Sequence, residues 1–226
     1  MNVLIVGGSS GLGLEIGTKL LEKGASIYTT GRSPKLVSQG LVFLEFNITE
    51  DLSHLRSDLD KMLATLPVID LLVYAAGFFE NGQIAELSDN HIAQMVNVGI
   101  TAPALILQRI IRKQGSLAGL IVITSTSQWI PRETEPVYSA VKAGLAMLAQ
   151  SVSLDKRIKK TLVVGPAGMN TNFWSGTDRD TTPFMLPQEV AVQILELWQG
   201  QYTYRLARIL RAPTPKPERV QILETR

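Results

Sequence analysis

The stretch Val3-Leu4-Ile5-Val6-Gly7-Gly8-Ser9-Ser10-Gly11-Leu12-Gly13 decides how this chain is read. Val3 to Val6 form an uninterrupted apolar run, the pattern of a short strand buried on both faces. Beyond the glycines, Leu14, Ile16, Leu20 and Leu21 fall on one broad face of a helix. Gly7, Gly11 and Gly13, spaced G-x-x-x-G-x-G, therefore occupy a turn between a strand and a helix. In that setting the free N–H groups and the positive dipole end of the helix point at whatever sits in the turn. Glycine lets the backbone take the φ values required and lets a diphosphate approach closely. Strand, turn and helix in this order predict an anion-binding corner.

The same alternation continues along the chain. Residues 25–31, 41–46, 69–77, 117–125 and 161–166 read as further strands, and 11–23, 51–65, 88–113, 136–154 and 187–198 as helices. Thr49 or Ser53 is the expected cap of the second helix, and Gly99 and Pro103 are expected to interrupt or bend the third. The prolines after Arg211 argue against a final helix, and one more strand is expected there. Repeated βα units with near-continuous apolar strands predict a single domain over 1–226. Its expected architecture is a Rossmann-type, doubly wound parallel α/β sheet of about seven strands with helices on both faces.

Composition narrows the functions. The formal net charge is +2, too small to argue for nucleic acid or a membrane surface. The basic residues at 155–160 and 205–226 read as a solvated helix end and a surface tail. There are no cysteines, which excludes disulfides, thiol nucleophiles and Cys-ligated zinc, and no metal-ligand spacing is visible. His54 and His91 read as surface residues of helices. Met1 stands one residue before the first strand with no basic segment or long apolar run, so no signal peptide or membrane span is expected and the cytoplasm is the default.

In a doubly wound sheet ligands bind beyond the carboxyl ends of the strands, so chemistry should lie just after them. The second strand ends Thr29-Thr30-Gly31-Arg32-Ser33, where an NAD site would carry a carboxylate for the ribose 2′-hydroxyl. An arginine there grips a 2′-phosphate instead, and Ser33 adds a hydroxyl, so NADP(H) is expected over NAD(H), with NAD(H) possible. The fifth strand ends at Ser125, followed by Tyr138 and Lys142, which a helix places one turn apart on the same face. Of five tyrosines only Tyr138 has a lysine at that spacing. An ammonium beside a phenol favours the phenolate and is expected to bring the Tyr138 pKa down toward neutrality. Ser125 is placed to hydrogen-bond a substrate oxygen on which charge develops.

These residues together resemble the short-chain dehydrogenase/reductase superfamily, in its single-domain size class, from Met1 to about Trp198. Gly7, Gly11 and Gly13 match its cofactor glycines; Ser125, Tyr138 and Lys142 match its catalytic Ser and Tyr-x-x-x-Lys; Asn97 matches the helix Asn that completes its tetrad. The resemblance implies a cofactor site of Gly7, Ser9, Ser10, Gly11, Leu12, Gly13, Arg32, Ser33, Asn47, Ile48, Ala75, Ala76 and Gly77. Tyr138, Lys142, Pro166, Ala167, Met169 and Thr171 complete it. It also implies hydride transfer between a nicotinamide and a small-molecule ketone, aldehyde or alcohol, and a homodimer through the helices near 100–114 and 137–154. The chain departs from the family in places. Val6 replaces a Thr, Ala167 follows Pro166 in place of Gly, and Asn47 stands where Asp meets the adenine. Tyr74-Ala75-Ala76-Gly77 replaces Asn-Asn-Ala-Gly, so Ala75 lacks the side chain that braces the central strands. The final strand lacks its usual glycines, which puts the common tetramer in doubt. A substrate lining of Phe78, Phe79, Trp129, Phe173, Trp174 and Phe184 is expected, with Arg132, Glu133 and Arg179 as polar candidates. The alternative is a non-catalytic NADP(H)-binding sensor on the same fold.

Overall fold

The computed structural model describes residues 1–32, 40–211 and 219–226. Among these residues eight strands form one sheet: β1 (Asn2–Val6), β2 (Ser26–Gly31), β3 (Leu41–Glu45), β4 (Leu71–Tyr74), β5 (Gly119–Ile123), β6 (Thr161–Pro166), β7 (Tyr204–Ile209) and β8 (Val220–Thr225). Their order is β3-β2-β1-β4-β5-β6-β7-β8, and every pair is parallel except β7 with β8. The expected seven strands are the parallel set, and β8 is an eighth that turns back along β7. Alternate residues of each strand serve opposite faces. Leu4, Val6, Leu72, Tyr74, Leu120 and Val122 pack under α2 (Leu52–Ala64), α4 (Ala102–Gln114) and α5 (Pro136–Val152). Val3, Ile5, Leu71, Val73, Ile121 and Ile123 pack under α1 (Gly11–Glu22) and α6 (Pro187–Leu197). Helices on both faces follow from strands that are apolar on both.

Two local features differ from the sequence reading. The cap of α2 is Asp51, whose carboxylate accepts the N–H of Ser53 at 2.7 Å and of His54 at 3.1 Å; a carboxylate also suits the positive end of the helix. Helix α3 (Asp89–Val96) and α4 are joined without a break by a π-helical turn, Asn97–Thr101. There the Ala102 N–H bonds back to Asn97 O rather than to Val98 O. The following residue, Pro103, has no N–H to offer. The Val98 carbonyl is claimed instead by the hydroxyl of Tyr74, a fully buried side chain at the end of β4. A π turn at this place is thus held to the central strand from outside the helix. By length and composition the whole run Asp89–Gln114 could cross a membrane, but half of its most apolar window is buried inside the fold, as in a core helix.

Tyr74 is the brace that the Ala75 position cannot supply. Tyr74→Phe leaves Val98 O without a partner in a dry site, so the variant should be less stable by about 1–3 kcal/mol. Denaturant unfolding measures this.

Candidate functional site

The connections leave β1 toward β2 on one side and β4 on the other, and the crevice above this reversal is where such sheets take ligands. A cleft of about 350 Å³ opens there. Its floor is the first turn. Gly7 has φ +83°, and a Cβ on it would stand 2.6 Å from the N and Cα of Ala76, so only glycine fits between the turn and the end of β4. Ser10 is the N-cap of α1 but its side chain caps nothing, and the first helical bond runs from Leu14 N–H to Ser10 O. The leading amides of Gly11, Leu12 and Gly13 are left directed at the cleft, an arrangement that suits an anion. Ser9, Ser10, Gly11, Leu12 and Gly13 all line it.

The other predicted cofactor residues surround this floor. Asn47, Ile48, Ala75, Ala76 and Gly77 line one side, and Pro166, Ala167, Met169 and Thr171 the other. Thr171 closes over the turn, its Cγ2 3.4 Å from where a Cβ on Gly11 would stand. Arg32 lines the end of the cleft beyond β2. The Ser9 side chain occupies the space where any side chain at Gly31 would start, so position 31 cannot hold a carboxylate without moving Ser9. Ser33 lies outside the described residues.

Ser125, Tyr138 and Lys142 meet in the same cleft. Tyr138 and Lys142 are both buried on α5, and the Lys142 Nζ lies 5.7 Å from the Tyr138 ring centroid. The ammonium donates to Ile123 O at 3.3 Å, at the end of β5. Burial makes its charge harder to keep and brings its pKa down to about 8. The expected lowering of the Tyr138 pKa does not occur. Burial is the largest influence and pushes the phenol above its ordinary value, opposed by the Ser125 hydroxyl, which can donate to a phenolate. The carboxylate of Glu135 raises it further, while Arg132 and Arg179 pull it down. Desolvation outweighs the neighbouring cation because the phenolate would have to form out of water.

Asn97 is not brought to the cleft surface. Its side-chain amide donates to the carbonyls of Thr49 and Glu50 at 3.0 and 2.9 Å, tying the π turn to the loop after β3. In this structure it is a brace, and its neighbour Val98 lines the cleft. A Cβ on Gly99 would come within 2.8 Å of Val141 Cβ, so the turn presses directly on α5 between Tyr138 and Lys142. The end of the cleft near Tyr138 is aromatic: Phe79 meets Tyr138 edge-on at 5.2 Å, and Phe173, Trp174 and Phe184 continue the cluster. Trp129 turns away onto Gly165, and Glu133 accepts from Gln83 at the surface. Arg132 and Arg179 do reach the cleft, joined by Glu135 and Ser127, which sequence reasoning did not single out. Glu135 precedes Pro136 as the N-cap of α5, a position that suggests surface capping, yet its side chain caps nothing and turns inward. Nothing in the sequence marks that burial.

The fold and the glycine-turn cleft define a dinucleotide-binding α/β protein. Residues 1–182 match the family model for short chain dehydrogenases, and the chain belongs to that family of oxidoreductases. It is 29% identical over 191 residues to an uncharacterized oxidoreductase of Staphylococcus epidermidis, covering 77% of this chain and 80% of that one. A 3-oxoacyl-acyl-carrier-protein reductase of Mycobacterium avium is 26% identical over 181 residues, covering 78% and 70%. Among solved structures, a short-chain dehydrogenase of Sphingobium yanoikuyae in complex with NADPH superposes with TM-score 0.75 at 19% identity, over 87% of this chain and 84% of that one.

The desolvated ammonium has a measurable consequence. An unfolded chain keeps the Lys142 proton up to its ordinary pKa of 10.5, whereas the folded one releases it near 8. Between these values the unfolded state binds more protons, so stability rises with pH, and below pH 8 the buried charge costs about 3 kcal/mol. Lys142→Met should therefore unfold at a higher denaturant concentration than wild type at pH 7, with the gap closing as pH rises from about 8 to 10.

Proposed function

We propose that this chain is a single-domain NADP(H)-dependent oxidoreductase that interconverts a ketone or aldehyde and an alcohol, with Tyr138 as general acid and base. One observation carries the reading: Tyr138, Lys142 and Ser125 converge, largely out of water, in the cleft that also receives the uncapped amides of α1. The amides of residues 11–13 would hold the diphosphate and Lys142 the nicotinamide ribose. Arg32 would hold the 2′-phosphate. The space at position 31, already taken by Ser9, argues against a 2′-hydroxyl carboxylate. The NADPH in the Sphingobium yanoikuyae structure supports the same cofactor class.

When bound, NADPH supplies the hydride. Tyr138, kept protonated by its burial, gives its proton to the carbonyl oxygen as charge develops there. Ser125 beside it can turn and donate to the same oxygen. Lys142 offsets the phenolate charge that remains. The aromatic wall of Phe79, Phe173 and Trp174 excludes water and suits a substrate with an apolar or aromatic body.

A panel of aryl and alkyl ketones and aldehydes with NADPH tests the reading by loss of cofactor absorbance; no loss across the panel favours a cofactor sensor. Tyr138→Phe should lower turnover by about 10²–10⁴-fold while NADPH still binds, and a variant that retains turnover overturns the assignment. Arg32→Ala should weaken NADPH by roughly tenfold or more, the worth of a charge-assisted contact, and leave NADH nearly unchanged; fluorescence titration separates the two.

A further inference from the structure

Three side chains, Ser125, Ser127 and Glu135, form a line leading away from the Tyr138 phenol. The Ser125 hydroxyl faces the same cleft as the phenol and acts on its proton affinity. The hydroxyls of Ser125 and Ser127 are 3.3 Å apart, and Ser127 Oγ lies 3.0 Å from Glu135 Oε2. The Glu135 side chain is 2% exposed and pairs with Arg132 Nε at 3.5 Å and with Arg179 Nη2. These two guanidiniums face the carboxylate, one from the segment leading into α5 and the other from the segment after β6. Tyr138 and Lys142 stand beyond it on α5. Glu133 points elsewhere, to Gln83.

The direction of the line follows from what each group can do. An ion-paired carboxylate only accepts, so Ser127 donates its one hydroxyl proton to Glu135. The contact between the serines is then donated by Ser125. With its proton so used, and its oxygen also accepting the Ser127 N–H at 3.1 Å, Ser125 is left as an acceptor for the phenol. Both serine hydroxyls point toward Glu135. A packing role would not require this polarity, and a buried carboxylate with two cations is a costly way to cap a helix.

We propose that Ser127 and Glu135 are positioning residues of a proton path between Tyr138 and the rim of the cleft. The proposal rests on the reading of Tyr138 given above. In alcohol oxidation the hydride leaves to NADP⁺ and the substrate O–H passes its proton to the Tyr138 oxygen. Tyr138 releases its own proton to Ser125, Ser125 to Ser127, and Ser127 to Glu135. Glu135 hands it to water beside the partly exposed Arg132 and Arg179. At each oxygen one O–H bond breaks as one forms, and the net result is one proton in solvent. In carbonyl reduction the path runs inward after the alcohol has formed: Glu135 takes a proton from water and passes it to Ser127, Ser127 passes one to Ser125, and Ser125 turns from the product oxygen to reprotonate the phenolate.

Ser127→Ala, Ser127→Thr and Glu135→Gln test this in both directions, using whichever aryl ketone or aldehyde of the panel, with its alcohol, the wild type turns over fastest. Ser127→Ala and Glu135→Gln should lower kcat about tenfold, less than the 10²–10⁴-fold of losing the acid–base group itself, with the NADPH dissociation constant unchanged. In oxidation the deficit should narrow as pH rises, because hydroxide can then take the proton directly. A proton inventory in mixed light and heavy water should bow in the wild type and be linear in Ser127→Ala. Ser127→Thr, which keeps the hydroxyl, should restore the rate. Wild-type kcat and pH profile in Ser127→Ala overturn the path, and so does an equal loss in Ser127→Thr, which would mark a packing effect. If Glu135→Gln unfolds because its arginines lose their partner, the two Ser127 variants still decide. Activity surviving in Tyr138→Phe defeats the reading of Tyr138 itself, an outcome distinct from either.

Discussion

The turn out of β1 lies flat against the end of β4, with no room for a side chain at Gly7. Much of the site depends on that close approach. It lets the chain leave β1 and enter α1 with its leading amides turned into the crevice, and it sets Ala75, Ala76 and Gly77 as the opposite lip. A Cβ at that point would wedge the turn away from β4. The helix dipole would then be aimed at solvent instead of at a ligand. The groups that the turn offers to the crevice are backbone amides, so they do not depend on the side chains at Val6, Ala75 and Ala167.

The side chains proposed to react depend on a different constraint. Tyr138 and Lys142 are positioned by α5, and α5 is positioned by the π turn that presses on Val141 through Gly99. That turn is pinned at two points: Tyr74 holds Val98, and Asn97 holds the loop after β3. The central strand, the third helical run and the helix with the phenol thus form one rigid unit. The rigidity is used to keep an ammonium out of water, against its solvation, with one carbonyl as its partner. Such a site is destabilising by construction, and the apolar packing around it offsets the cost.

The glycine-turn half of the cleft is legible in the sequence because its fold follows from local rules. An apolar run, glycines and a helical face specify a strand, a turn and a helix, and the short-chain dehydrogenase spacing locates Ser125, Tyr138 and Lys142. What the sequence hid depends on tertiary burial. The effect of Lys142 on Tyr138 looked like a simple attraction, but burial of the phenol dominates. Asn97 carried the right residue for a cleft position, yet its amide is taken up by backbone carbonyls after β3. β8 was missed because Val220–Thr225 is a half-exposed edge strand whose partner is known only once β7 is in place. Asp51 capped α2 in competition with two hydroxyl residues beside it, a choice made by local dihedrals that composition does not reveal.

The two halves of the cleft also differ in what holds them. The glycine-turn half is framed by strand ends and one helix terminus, while the aromatic half is built from three loops joined by side chains. Phe79 follows β4, Glu135 precedes α5, and Trp174 and Arg179 follow β6. The Arg179 guanidinium joins all three, stacking on Phe79 and Trp174 while pairing with Glu135. Loops linked only through side chains can be exchanged without disturbing the sheet. A cation stacked on two rings and bound to a buried carboxylate also cannot be replaced piecemeal. Removing Glu135 strands two guanidiniums, whereas removing Arg179 leaves the carboxylate still paired with Arg132. Substitutions on the arginine side are therefore the gentler route by which this pocket could change what it admits, while the carboxylate is held in place from three sides, by Ser127, Arg132 and Arg179.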